Sequence, residues 1–153
     1  MVATKVVGAS IKRREDPRLI TGEAKYLDDI QLPALTHMAI LRSPYAHANI
    51  KSIDVSKAKA APGVVAVFTG QDFADVNPLP CAWQAGGVKN NANTPRVLEI
   101  SKVTHVGQGV ACVIAENRYA AQDALELIHV EWEPLPVVVD AEQAIIDGAP
   151  QLH

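Results

Sequence analysis

Residues able to do chemistry are present in this chain, but their spacing argues against most of the chemistries they suggest. Gly107-x-Gly109 in "VGQGVAC" begins like a dinucleotide fingerprint, in which glycines follow a strand and open a helix whose amides face a pyrophosphate. Here the glycines precede the apolar run "VACVIA", and Cys112 stands where the third glycine belongs, so the stretch predicts a tight turn feeding a buried strand. His37, His47, His105, His129 and His153 are scattered, with no i,i+4 pair on a helix and no C-x-x-C, so no metal-ligand set is predicted. Cys81 and Cys112 are the only cysteines, too few for the four thiolates of an iron–sulfur cluster. Cys112 reads as a small buried hydrophobe, while Cys81 lies in a loop beside Trp83. Glu131 and Glu133 share one face of an alternating strand and imitate an acid/base pair, but such neighbours are usually solvated. Ser43 and Ser101 lack a G-x-S-x-G setting, so no serine hydrolase is predicted.

One polar group remains without an obvious local task. "RSPYAHA" places Arg42, Ser43, Pro44 and His47 between two predicted strands, a pre-set proline among polar donors. Two readings stay open: the forked Arg42 guanidinium reaches a carbonyl or carboxylate across an interface, or Arg42 and Ser43 close their own hairpin. The basic arm "KRREDPRL", with Arg13 and Arg14, is a second candidate contact surface, because surface pairs to Glu15 or Asp16 contribute only ~0–1 kcal/mol and do not order a tail.

The elements that must position these residues are short. Residues 1–22 read as an extended arm closed by Gly22, residues 23–147 as the folded domain, and residues 148–153 as a tail. "THMAILRS" and "NIKSIDV" predict strands joined through Pro44 to Ala48. Ser56 is expected to cap a helix through "KAKAA", ended by Pro62 and Gly63, before the buried strand "VVAVFT". Residues 78–99 show no period and predict a long mobile loop, beyond the roughly 12–15 residues usual in compact domains. Asn117 should cap a helix through "RYAAQDALEL" with Tyr119, Ala121, Ala124, Leu125 and Ile128 at helical spacings, followed by a half-buried strand "IHVEWEPL". Asp140 should cap a last short helix ending at Gly148. Strands and short helices alternate without a repeat, giving an α+β fold of mixed sheet strands with short helices packed on them in one compact domain.

Bulk properties narrow the partners. At 153 residues the chain can bury about two-thirds of its unfolded surface, enough for a real core. A net charge of -3 supplies no positive field for nucleic acid, and no uncharged run approaches the ~18 residues of a membrane span. Without a signal-peptide h-region before its first charges, the chain is expected in the cytoplasm.

Read in order, "GASIKRREDPRLITGEAKYLDDI", "HMAILRSPYAHANIKSIDVSKAKAAPGVVAVFTGQD" and "VGQGVACVIAENRYAAQDALELIHVEWEPLPVVVDAEQAI" resemble the α/β hammerhead domain that begins the large subunit of the molybdenum hydroxylases: xanthine dehydrogenases, aldehyde oxidases and aerobic carbon monoxide dehydrogenases. Gly109 departs from the proline usual after "VGQ" in that family. The resemblance implies that molybdopterin, its glycine-rich binding segments and the catalytic glutamate belong to domains following this one, with iron–sulfur clusters and FAD on other subunits or domains. No catalytic, cofactor-binding or metal residue is then expected in this chain. Its "GAPQLH" end falls near the family's domain boundary. The implied role is structural and assembling, with "RSPYAHA" a signature turn lying against the catalytic domains. The alternative is a free-standing binding or scaffold module that keeps the fold without the enzyme.

Overall fold

The computed structural model describes residues 8–79 and 95–152. They divide into two compact units, Met1–Leu35 and Thr36–His153. The boundary expected at Gly22 therefore falls inside the first unit.

The first unit is not simply extended. It carries a short helix α1 (Asp16–Ile20) and a 3-10 turn at Leu27–Asp29. Pro17 sits in the first helical turn, where its missing N–H costs nothing and its fixed φ suits the helix. Arg13 Nε donates to Asp16 at 3.0 Å, and the Ala24 amide returns to the Arg18 carbonyl at 2.9 Å over Gly22, whose φ of 75° lies in the left-handed region. These are the local ties that the expectation of an extended arm overlooked.

The second unit runs β1 (His37–Arg42), β2 (Ala48–Asp54), α2 (Ser56–Lys59), β3 (Val64–Thr69), β4 (Lys102–Val103), β5 (Gly109–Ala115), α3 (Arg118–Glu126), β6 (His129–Pro134) and α4 (Ala141–Ala144). The fold is α+β, as expected: the strands form two antiparallel three-stranded sheets, ordered β1-β5-β3 and β4-β2-β6, with short helices beside them. Strands β1 and β2 therefore do not form the expected hairpin. Their connection crosses from one sheet to the other.

The core follows from the period-2 alternation of β5. Ala111, Val113 and Ala115 face α3, meeting Ala121, Ala124 and Leu125, with Val67 and Ile128 closing the cluster. The small alanines let helix and strand approach closely, while burial of Leu125 and Ile128 contributes about 1.5–3 kcal/mol each. Val110 points the other way, into a smaller cluster with Ala48 and Val103, flanked by Ile50 and Trp132. Burial on both faces explains why "VACVIA" is an unbroken apolar run rather than an alternating one.

Three local expectations meet different outcomes. Asn117 caps α3 as read, its side chain accepting the Ala120 amide at 2.9 Å, and Asp140 likewise accepts from Glu142 and Gln143. Ser56 is not a cap: the Asp54 carboxylate reaches forward to its amide at 2.9 Å, so Val55 takes the cap position and Ser56 becomes the first helical residue. Tyr119 does not join the apolar face of α3 and is 83% exposed. It stands two residues from Ala121, about 200° around the helix, on the opposite side. The loop expected at residues 78–99 lies largely outside the described residues.

Candidate functional site

Two connections cross between the sheets side by side. Residues 43–47 lead from β1 in the first sheet to β2 in the second, and residues 104–108 return from β4 in the second to β5 in the first. Their backbones bond directly, Ser43 N–H to Gln108 O and Gly107 N–H to Ser43 O, both at 2.8 Å. Gly107 adopts φ 89° and precedes a strand, so the glycine pair makes a turn, as read from the sequence, and opens no helix.

Each side chain of "RSPYAHA" has a place in this knot. Arg42 Nη1 donates to the Gly107 carbonyl at 2.7 Å, tying β1 to the neighbouring turn. Ser43 is buried; its hydroxyl donates to Tyr45 O at 2.8 Å and accepts the Tyr45 amide at 3.0 Å, wrapping the chain around exposed Pro44. His47 is also buried, with Nδ1 2.7 Å from the Pro136 carbonyl, so Nδ1 carries the proton and donates. Its Nε2 is enclosed and finds no hydrogen-bond partner among the described residues. Tyr45 stacks obliquely on Trp132 at 5.7 Å, fastening the turn to β6. Arg42, Ser43, Pro44 and His47 are thus brought together, whereas Arg13 and Arg14 belong to the first unit.

Sequence reasoning missed the residue at the centre of the knot. Gln108, buried, accepts the Thr104 amide at 2.7 Å through Oε1 and donates from Nε2 to Glu99 Oε1 at 2.7 Å. Glu99 also receives the Arg96 amide at 3.3 Å, and its own amide bonds to Gly109 O at 2.9 Å. The available signal was a long amide side chain between two glycines, directly before a fully buried strand. A turn needs polar atoms there only if something inside it must be satisfied.

Arg42→Ala should lower the stability of the free chain by about 1 kcal/mol, since it removes one charge-assisted bond to a carbonyl at an exposed position. Urea unfolding reads this directly, and an unchanged midpoint would mean that solution exchange dissolves the bond.

Carboxylates elsewhere are held ionised by local donors. The Thr69 amide and hydroxyl lower the Asp72 pKa from its ordinary 3.8, at 2.6 and 3.0 Å. Asn49 and then Lys51 lower that of Glu133, and the Ser56 amide lowers that of Asp54. Glu131 instead accepts from the Ser52 hydroxyl at 3.2 Å, so the two glutamates have separate partners. In all three lowered groups the folded state releases its proton more readily than the unfolded chain. Their stabilisation is therefore complete above the ordinary carboxylate range and is lost as pH falls through it towards the depressed values. Urea midpoints should drop on acidification below about pH 4, and Asp72→Asn should flatten part of that slope; parallel profiles for the two proteins would refute the assignment.

The fold and the knot define the class. The description "Aldehyde oxidase and xanthine dehydrogenase, a/b hammerhead domain" matches residues 21–136, and the chain belongs to this family. It is 45% identical to the carbon monoxide dehydrogenase large chain of Afipia carboxidovorans over 147 residues, 96% of this chain and 17% of that one. The nicotine 6-hydroxylase large subunit of Paenarthrobacter nicotinovorans is 39% identical over 96% of the chain, again spanning 18% of the relative. The crystal structure of quinoline 2-oxidoreductase from Pseudomonas putida 86 superposes with a TM-score of 0.84 at 41% identity, covering 95% of this chain and 18% of that one. The chain thus spans less than a fifth of the length of these relatives.

The described residues do not suit a molybdenum cofactor or an iron–sulfur cluster. No group of three or more His, Cys, Asp or Glu side chains converges among them. Burial pushes the Cys112 thiol up, away from the thiolate form that a metal needs. The close approaches at Gly70 and Gly109 are filled by the chain itself: a Cβ at Gly109 would meet Leu98 at 3.2 Å and Ile40 at 3.3 Å, leaving no cradle for a phosphate.

Proposed function

We propose that this chain is a framing and assembly domain of a molybdenum hydroxylase large subunit, and that the hydroxylation or oxidation is carried out by other domains or subunits in the cytoplasm. One observation carries this reading: the buried polar side chains among the described residues, Ser43, His47 and Gln108, each bond to the chain itself, Ser43 to Tyr45, His47 through Nδ1 to Pro136, and Gln108 to Thr104 and Glu99. A catalytic domain presents such groups to substrate. Here they stiffen the join between two sheets, so that the exposed parts of the turn, Arg42, Pro44 and Tyr45, keep one shape. In this reading Ser43 and His47 act by holding that shape, while Arg42 and Pro44, with Arg13 and Arg14 on the first unit, meet the molybdopterin-binding domains. Flavin and iron–sulfur subunits complete the assembly.

Capture of the chain from its native cells, followed by molybdenum, iron and flavin analysis, tests the reading. Molybdenum should accompany the captured protein, while the purified recombinant chain should hold none in stoichiometric amount and oxidise neither aldehydes, purines nor carbon monoxide. Capture without molybdenum would favour a free-standing scaffold module instead.

A further inference from the structure

Residues 8–35 are locally ordered without a core of their own. Neither α1 nor the following 3-10 turn buries a single residue. Ile20 is 85% and Leu27 86% exposed, with Ile11, Tyr26 and Leu32 each above 60%. A five-residue helix cannot persist on its own hydrogen bonds, because nucleation costs more than so few bonds return. The Arg13–Asp16 pair and the Asp29 carboxylate on the Tyr26 amide at 2.9 Å shape the segment, while only Leu19 and Ala24 of its apolar side chains are half-buried. So many exposed large apolar side chains within one short segment mark a contact surface.

Charge narrows the occupant. Residues 1–35 carry six basic and five acidic side chains, counted from the sequence, so neither nucleic acid nor an anionic membrane is attracted. The relatives match over nearly the whole of this chain, yet it accounts for only 17% of the carbon monoxide dehydrogenase large chain, so in that protein the same segment is accompanied by a far larger remainder. We propose that residues 11–35 are a docking arm whose apolar side chains, Ile20 and Leu27 foremost, seat on the molybdopterin-binding portion of the enzyme. This rests on the assembly role proposed above and assigns the apolar contact to the arm rather than to the crossover turns.

Lys12 and Lys25 lie within the arm on either side of Ile20, Lys25 two residues before Leu27, and allow the native complex to be mapped with a short amine-reactive cross-linker. Mass spectrometry of the captured complex should place cross-links from both lysines on the molybdopterin-binding polypeptide. Ile20→Asp with Leu27→Asp should cut the co-purifying molybdenum at least tenfold while leaving the melting temperature of the free chain within about 2 °C. Cross-links confined to residues 36–152, with a falling melting temperature in the double variant, would mean that the arm folds onto its own domain and would overturn the proposal. Cross-links to a second copy, or to an iron–sulfur or flavin subunit, would overturn it equally. If neither lysine cross-links, amide exchange decides: slower exchange across 11–35 in the complex than in the free chain supports docking, and equal rates refute it. Molybdenum absent from the wild-type capture sinks the assembly role itself, whereas molybdenum retained undiminished by the double variant sinks the arm alone.

Discussion

Gly70→Ala should destabilise the domain by about 3 kcal/mol. Gly70 is buried where β3 runs into a 3-10 turn at Gly70–Phe73, and a Cβ there would stand 2.5 Å from Glu99 O and 2.8 Å from Leu98 O. Those are backbone atoms, so no flexible side chain can swing aside. Relief requires either moving β3 away from β5 or displacing the 98–99 peptide, whose Glu99 amide is bonded to Gly109 at the start of β5. Both routes disturb packing at native density, where even one added methyl is felt. Urea unfolding of the variant measures the loss; a change below about 0.5 kcal/mol would show that the 98–99 segment yields freely in solution.

Gln108→Ala should cost about 2–3 kcal/mol, more than the two bonds it removes. The truncation leaves the half-buried Thr104 amide and Glu99 carboxylate without their 2.7 Å partner, Glu99 keeping only the longer bond from the Arg96 amide, and it empties the volume of a buried side chain beside β5. Gln108→Glu separates shape from charge. It preserves length and the acceptor for Thr104, but sets a second carboxylate against Glu99, so one of the two must take up a proton or they repel. The Glu variant should therefore be weakest at neutral pH and recover stability as acid protonates the pair, the opposite trend to that expected from Asp72 and Glu133. A Gln108→Glu protein that matches wild type at pH 7 would show that the side chain is solvated and that the knot is not held by its centre.

Much of the architecture was legible from local rules. An unbroken apolar run located β5, and period-3.6 and period-2 patterns located α3 and β6; Asn117 and Asp140 announced their helices through side-chain oxygens that satisfy free amides within three residues. The Gly107-x-Gly109 turn was read correctly because order along the chain, glycines before an apolar run, already excludes a phosphate cradle. Tyr119 and Ser56 were misplaced for reasons of competition: helical phase set one on the far face, and the Asp54 carboxylate reached the Ser56 amide first.

The amino-acid order by itself determined the family, the elements and the caps, since each depends on neighbours within a few residues or on motifs recurring in series. Only the tertiary structure decided which strands pair. "HMAILR" and "ANIKSID" are separated by one short turn and suit a hairpin, yet β1 bonds to β5 and β2 to β4 and β6, partners about 50–85 residues away along the chain. That choice gave Arg42, Ser43, His47 and Gln108 their tasks, because a polar side chain acquires a structural role from the backbone groups that another segment brings within hydrogen-bond reach. Such distances are set by packing of the whole domain and have no local signature in the sequence.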